Sequence, residues 1–176
     1  IKVFTPKEHK LYPKRYKSAY KQYDKYFLFV ERAFKLLKED GAMGYIVPSK
    51  FMKVGAGKEL RNYISSNKSI KAITSFGAHQ VFSDKSTYSC IIILQNKEND
   101  SFTYSEVDSL AKWKVRDLTS FSENKRNISR LGEETWVLCS DRLQSILNHI
   151  STQSLPLGEI VGDDYIFNGI QTSANK

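Results

Sequence analysis

Cysteine is scarce in this sequence, which has only Cys90 and Cys139 among its 176 residues. Their number and spacing exclude a disulfide framework and a cysteine-based metal site, and such sparing use of cysteine fits a reducing cytoplasm. The chain has no signal peptide. Its longest apolar run is far shorter than the roughly 20 residues that a helix needs to span a bilayer. We therefore expect a cytoplasmic protein without a membrane segment.

The usual catalytic constellations are also missing. The three histidines, His9, His79 and His149, have no spacing suited to a metal site or a catalytic triad. Residues 55–58 (Gly-Ala-Gly-Lys) lack the spacing of a phosphate-binding Walker loop and do not directly follow a strand, so we interpret them as a flexible entry to a helix. From the residues alone we identify no catalytic group and predict no bound metal.

Basic residues, by contrast, are abundant. Lysine and arginine number 27 against 19 acidic residues, which gives a formal net charge of +8 and an isoelectric point near 9.4. Such a balance favours nucleic acid or another anionic partner, although it also serves plain solubility. Residues 1–22 interleave lysines with tyrosines, and Pro6 and Pro13 break any long helix there. We interpret this segment as a loop or short helix that either grips a phosphate backbone or merely connects.

Hydrophobic periodicity predicts alternating helices and strands. Residues 24–39 form an amphipathic helix with Asp24 as N-cap and Gly41 as a left-handed end, and strands follow at 42–47, 70–76 and 87–94, with a helix at about 58–66. Alternation of this kind predicts an α/β fold with a parallel sheet. Since the connection to the strand at 87–94 is too short for a parallel crossover, that strand should run antiparallel.

The pattern weakens after Gln95. Residues 102–107 fit an edge strand, whereas residues 108–138 carry two tryptophans without clear periodicity. A helix capped by Ser140 or Asp141 runs to about Ile150. A linker at 151–156 leads to residues 157–176, which we interpret as the start of a β-rich element. The chain opens without an initiator methionine and closes on an element that looks unfinished, so we expect a fragment of a longer protein.

Four stretches, taken in order, resemble one known family. They are YDKYFLFVERA with LLK at 23–38, GYIVPSKF at 44–51, LRNYI with IKAI at 60–73, and VFSDKSTYSC at 81–90. This series is similar to the region downstream of the Asn-Pro-Pro-Tyr motif in the gamma-type adenine-N6 DNA methyltransferases, which include the TaqI-like enzymes and the fused type IIG restriction–modification proteins. The resemblance covers residues 1–95 and resumes weakly at 155–176.

The resemblance implies the C-terminal half of a Rossmann-like class I methyltransferase sheet with an antiparallel last strand. It divides the chain into residues 1–110 of the catalytic domain, a linker and helix at 111–154, and the start of a DNA target-recognition domain at 155–176. Neither the glycine-rich cofactor loop nor Asn-Pro-Pro-Tyr occurs in this sequence. We therefore expect the chain alone neither to bind S-adenosylmethionine strongly nor to methylate DNA.

The same resemblance implies a mechanism and its residues. Family enzymes flip the target adenine out of double-stranded DNA, and its exocyclic amine then attacks the methyl group of S-adenosylmethionine. Phe82 matches the residue that stacks on the flipped base, and Phe29 matches one that contacts the cofactor's adenine ring. Each residue has an alternative role. Phe82 could plug the bottom of the hairpin instead, and Phe29 could be an ordinary core residue of its helix. Four further residues are candidate DNA contacts, namely Lys85, Thr87, Gln171 and Thr172, although Ser173 stands where the family often has glycine.

Two other functions stay open at this point. One is a methyltransferase that acts on RNA or protein with the same sheet and donor. The other is a non-catalytic DNA-binding specificity module, which would bind duplex DNA with strong salt dependence. In the leading interpretation the partners are double-stranded DNA and the rest of the same polypeptide, which could include a fused nuclease domain.

Overall fold

The computed structural model describes residues 4–83, 87–114, 121–139 and 141–165. The chain divides into two compact units, Ile1–Leu138 and Cys139–Lys176. Among the described residues, none of the helices combines the length and apolar character that a bilayer crossing requires.

The first unit is a five-stranded sheet with helices. Its strands are β1 (Ala42–Pro48), β2 (Ile70–Ser75), β3 (Ser89–Gln95), β4 (Ser101–Val107) and β5 (Phe121–Asn127), and its helices are α1 (Pro6–Arg15), α2 (Lys25–Lys35), α3 (Lys58–Ser66) and α4 (Leu110–Lys114). The spatial order of the strands is β1-β3-β2-β4-β5. Strands β2 and β4 are parallel, and β5 is antiparallel to β4.

Strand β3 is antiparallel to both of its neighbours, as the short connection before it predicts. It lies between β1 and β2, so that Ile92 is opposite Tyr45 on one side and Ile73 on the other. Cys90, Ile92 and Leu94 are almost completely buried, in keeping with the apolar run seen in the sequence. Because β1 and β2 both oppose β3, they run in one direction, and β4 shares it.

Helix α2 carries much of the core. Phe27, Val30 and Phe34 are buried at helical spacing. The helix ends at Lys35, earlier than residue 39. The predicted left-handed end at Gly41 is wrong, because the residue with positive φ is Asp40, at 57°. Position 41 needs glycine for a different reason, which is close packing against the preceding backbone. A Cβ there would lie 2.8 Å from the carbonyl oxygen of Lys38.

The basic N-terminal segment adopts the short-helix alternative. Helix α1 begins with a capping box, in which the Thr5 hydroxyl accepts from the Glu8 amide and the Glu8 carboxylate accepts from the Thr5 amide at 2.7 Å. Pro6 occupies the first turn, where the missing N–H has no intrahelical partner to lose. Pro13 lies inside the last turn, so the two prolines bracket a short helix.

Residues 108–138, which show no sequence periodicity, complete the sheet. Strand β5 pairs with β4 along its whole length, from Ser101 opposite Asn127 to Val107 opposite Phe121. Its letters, FSENKRN, are mostly polar and charged, as is common in edge strands. After a 3₁₀ turn at Ile128–Arg130, the chain buries the Trp136 indole in the core.

The second unit contains α5 (Asp141–Gln153), α6 (Leu157–Val161) and a 3₁₀ turn at Asp163–Tyr165. Helix α5 confirms the predicted helix and extends it into the expected linker. The described residues 157–165 are helical rather than β-rich, which corrects that expectation, and residues 166–176 lie outside the described part.

A buried carboxylate fixes the segment between α1 and α2. Glu31 is 0% exposed, and it accepts from the Ser18 amide at 2.8 Å, the Ser18 hydroxyl at 2.7 Å and the Lys17 amide at 3.2 Å. Its fourth donor is the Lys35 ammonium, one turn along the helix. Burial by itself raises the pKa of Glu31, but these hydrogen bonds outweigh it and the pKa is lowered overall.

We expect Glu31→Gln to reduce the free energy of unfolding by about 1–3 kcal/mol at pH 7, because an amide cannot accept from all four donors. A carboxyl pKa that is lower in the folded state stabilises the protein above the ordinary value of 4.5 and loses this effect as the pH falls below it. Urea denaturation of both proteins between pH 7 and pH 3 measures the difference, which should shrink below pH 4.5. The exposed Glu39→Gln is the matched control. A constant difference across this range would contradict the assignment.

Candidate functional site

The main cleft of the first unit lies at the carboxyl ends of β1, β2 and β4. Its volume is about 840 Å³, and its lining includes Pro48, Ser75 and Glu106 at the ends of these strands. Clefts at this edge of an α/β sheet are where such folds bind their ligands. We therefore take it as the candidate functional site.

One wall of the cleft is formed by the start of α2 and the end of β1. The Asp24 carboxylate, at the start of α2, pairs with the Lys50 ammonium at 2.5 Å. The Tyr26 hydroxyl donates to the Pro48 carbonyl at 3.1 Å. Burial raises the pKa of Tyr26, and the neighbouring Asp24 charge raises it further, so this phenol remains a neutral donor.

A second wall is the loop from Ser49 to Gly57, which we call the rim loop. Its backbone is held from behind by Arg61 of α3, which is 3% exposed. The Arg61 Nη1 donates to the carbonyls of Phe51 at 2.6 Å and Val54 at 2.8 Å, and Nε donates to the Glu133 carbonyl at 2.9 Å. The guanidinium thus joins the rim loop to the segment after β5.

Trp136 also joins the rim loop to the segment after β5. Its amide donates to the Met52 carbonyl at 2.8 Å, and its indole N–H donates to the Gly132 carbonyl at 2.9 Å. Its ring packs edge-on against Phe51, with the centroids 5.8 Å apart. Met52 and Trp136 both line the cleft, so these contacts set the shape of the site.

Phe82 lies where the sequence predicted, in the loop between β2 and β3. This loop leaves β2 at its carboxyl end, which is the edge that carries the cleft. The Phe82 side chain is 44% exposed, and the alternative of a buried plug therefore does not describe it. Thr87 lines the cleft, whereas Phe82 does not belong to its lining. Lys85, Gln171 and Thr172 lie outside the described residues.

Phe29 is not a core residue. Its side chain is 63% exposed on α2, while its neighbours Leu28 and Val30 are buried. The core alternative for Phe29 is therefore wrong. The structure does not bring Phe29 into the lining of the cleft. An exposed Leu36 lies two turns along the same helix.

Metal and nucleophile chemistry find no support in the described part of the chain. No group of three or more His, Cys, Asp or Glu side chains there could hold a metal ion. Both cysteines are buried, and neither forms a disulfide with a described residue. Burial raises the pKa of Cys90 to about 12, which keeps it a neutral thiol.

Sequence reasoning did not identify the rim loop, Arg61 or Trp136. The only available signal was a tryptophan in a stretch without periodicity. The contacts that bring them together join residues as far apart as Arg61 and Glu133, and they use backbone carbonyls.

Comparisons with known proteins show a similarity to restriction–modification methylases. Residues 2–82 match the pattern of the family described as the Eco57I restriction-modification methylase. The chain is 48% identical over 172 residues to the type II restriction enzyme and methyltransferase RM.Eco57I of Escherichia coli, and 27% identical over 184 residues to the type II methyltransferase M.BstVI of Geobacillus stearothermophilus. These alignments cover 98% and 95% of the chain, which spans only 17% and 33% of the two relatives.

A solved structure shares the fold. The type IIG restriction endonuclease BpuSI aligns with 66% of the chain and 16% of its own, with a TM-score of 0.52 at 12% identity. At this identity the likeness shows the fold alone. With the mixed five-stranded sheet described above, it confirms the predicted fold class.

Gly57 should tolerate no side chain, because a Cβ there would overlap the Phe51 carbonyl oxygen and lie 2.9 Å from Arg61 Nη1. We expect Gly57→Ala to lower the free energy of unfolding by about 1–3 kcal/mol through overpacking. The matched control is Gly55→Ala in the same loop, where a Cβ meets nothing within 4 Å. We expect that control to change stability by less than about 1 kcal/mol. Chemical denaturation compares the two variants, and equal losses would show that the close approach is unimportant.

Proposed function

Because residues 2–82 match the Eco57I restriction-modification methylases and the chain is 48% identical to RM.Eco57I over 172 residues, we propose that it belongs to this family and is part of a site-specific DNA adenine-N6 methyltransferase. The whole protein would transfer a methyl group to an adenine that has been flipped out of the duplex. The chain would contribute the later half of the catalytic sheet and the wall of the base pocket. Its net charge of +8 suits a double-stranded DNA partner.

One observation carries this proposal. Strand β3 is reversed between β1 and β2, so the loop that precedes it leaves the sheet at the edge where the cleft opens. That loop holds Phe82 with its ring half exposed. An aromatic ring at a ligand-binding edge supports the stacking role that the family resemblance implies.

The residues of this chain act by positioning. The Phe82 ring stacks on the extruded adenine, an interaction worth about 1–3 kcal/mol per base. Thr87, in the cleft lining, shapes the pocket beside it, and Lys85 is the expected phosphate contact in the same loop. Holding the exocyclic nitrogen in line with its electrophile contributes to the acceleration, together with electrostatic stabilisation.

S-adenosylmethionine would supply the methyl group. The fit of this chain to that cofactor rests on Phe29, whose exposed ring can pack against an adenine ring. A single aromatic contact is a weak site, which supports the expectation that this chain alone binds the cofactor weakly and transfers no methyl group.

The rest of the polypeptide is the second proposed partner. Within the described residues, β1 has a strand on one side only, and Tyr45 and Ile46 in that strand are exposed. An unpaired edge with apolar side chains needs a cover, and further sheet from the same polypeptide would provide it. A fused nuclease is part of the proposal because one relative is named as both restriction enzyme and methyltransferase.

Three finer assignments complete the proposal. The catalytic domain would extend beyond the predicted boundary near residue 110 to include β5, which pairs with β4, and the target-recognition domain would begin near residue 155. Gln171 and Thr172 would contact DNA from that second domain. The protein would work in the cytoplasm, where its two free cysteines remain reduced.

The test is methyl transfer by the full-length protein to duplexes that contain adenine. We expect Phe82→Ala to lower the turnover rate by about 5- to 150-fold, since the lost stacking is worth about 1–3 kcal/mol. Affinity for DNA should change little, because phosphate contacts dominate binding. Phe82→Tyr is the control, since it keeps the ring and should keep most of the turnover.

Unchanged turnover in Phe82→Ala would remove this residue from the pocket. Absence of methyl transfer to adenine by the wild-type protein would overturn the proposed function itself. Methyl transfer by the isolated chain would contradict the expected dependence on the rest of the polypeptide.

A further inference from the structure

We propose that the rim loop is a preformed contact for the DNA backbone, in which Lys53 binds a phosphate beside the flipped nucleotide and Arg61 is the positioning residue. This inference rests on the proposed DNA substrate. It adds Lys53 as a DNA-binding residue in the cleft and Arg61 as a buried residue that acts by positioning Lys53.

Lys53 is the cation of the rim loop that has no ion-pair partner among the described residues. Its side chain is exposed and lines the cleft, and it forms no ion pair with a described residue. Two neighbouring lysines differ in this respect, because Lys50 pairs with Asp24 at 2.5 Å and Lys58 pairs with Glu133 at 3.0 Å. An unpaired ammonium at the mouth of a cleft is free to bind a phosphate as a point charge.

The sign of charge differs between the two ends of the cleft. Lys53 follows β1, whereas Glu106 belongs to β4 and lies against Gly77 at the end of β2. Strands β3 and β2 separate β1 from β4, so the two ends are about 14 Å apart at roughly 4.8 Å per strand. A phosphate would be repelled at the Glu106 end and attracted at the Lys53 end.

Arg61 makes the rim loop rigid without neutralising it. The three acceptors of the guanidinium are carbonyl oxygens of Phe51, Val54 and Glu133, so its positive charge stays next to the loop. Burying a cation against neutral groups is unfavourable unless the hydrogen bonds are well made, and burial indeed lowers the pKa of Arg61. Arginine nevertheless remains protonated in proteins.

The hydrogen bonds of Arg61 hold the backbone on both sides of Lys53. Arg61 Nη1 donates to the carbonyls of Phe51 and Val54, which lie close to Lys53 in sequence on either side. The Lys53 amide itself donates to the Lys50 carbonyl at 2.9 Å, so its backbone position is set from both directions. A contact fixed before DNA arrives loses less entropy on binding, which is what a positioning residue provides.

The first experiment measures the salt dependence of DNA binding by the full-length protein. Duplex affinity is determined by fluorescence anisotropy at several salt concentrations for the wild type and Lys53→Gln. Loss of one phosphate contact should make the slope of log affinity against log salt less steep by about 0.9, equally for specific and non-specific duplexes. The matched control is Lys71→Gln, an exposed lysine near the start of β2, whose slope should equal that of the wild type.

The second experiment separates positioning from general stability. We expect Arg61→Lys, which keeps the charge but cannot reach three carbonyls, to reduce the slope in the wild-type background. In the Lys53→Gln background the same change should reduce it no further, although it should lower thermal stability in both backgrounds. If Arg61 had a purely structural role, Arg61→Lys would leave the salt-dependence slope unchanged in both the wild-type and the Lys53→Gln backgrounds. If Arg61→Lys does not fold, the Lys53→Gln comparison decides alone.

An unchanged slope in Lys53→Gln would overturn the inference, and so would an equal loss in Lys71→Gln. These failures are distinguishable from failure of the proposed function, which is tested by methyl transfer from the wild-type protein. Normal methyl transfer with an unchanged slope would reject only the phosphate contact. A changed slope in a protein that never methylates adenine would keep the contact and reject the reaction.

Discussion

The reversed strand β3 is the constraint on which the rest of the first unit depends. It lies between β1 and β2 and pairs with both, so its backbone hydrogen bonds are satisfied on both edges. Cys90, Ile92 and Leu94 on one face are buried, whereas Ile91 and Ile93 on the other face are partly exposed. A strand that enters the sheet in the opposite direction must start where its neighbours end. The loop that carries Phe82 and Thr87 is therefore delivered to the carboxyl edge of β1, β2 and β4, where the cleft lies. This pairing therefore places Thr87 in the lining of the cleft and Phe82 in the same loop, outside that lining.

Two buried charges hold segments that connect the helices and strands of the first unit. Glu31 gathers backbone N–H groups and a hydroxyl from Lys17 and Ser18, while Arg61 gathers carbonyl groups from the rim loop and the segment after β5. Both solve the same problem, because irregular backbone near a core must find partners for its polar groups. The carboxylate supplies acceptors and the guanidinium supplies donors.

Much of the fold could be predicted from local patterns. The helical spacing of Phe27, Val30 and Phe34 identified α2, and the apolar β-branched run at 87–94 identified β3. The short connection before that run also predicted its direction. Prediction failed at β5, because the solvated edge strand FSENKRN has no alternation of apolar residues. It also failed at Gly41, where tight packing against Lys38 rather than a left-handed turn requires glycine.

The candidate site, like the fold, could be predicted from the sequence only in part. The sequence by itself determined the direction of β3, the family resemblance and, through it, the position of Phe82 in the loop before that strand, because these depend on residues that are close together in the chain. Only the tertiary structure decided that Phe29 is exposed, that Lys53 lines a cleft without an ion pair to any described residue, and that Arg61 and Trp136 fasten the cleft walls. The partners of Arg61 and Trp136 are backbone carbonyls, some as distant in sequence as Glu133 is from Arg61. Since every residue has a carbonyl, no letter of the sequence marks which ones a buried arginine will bind.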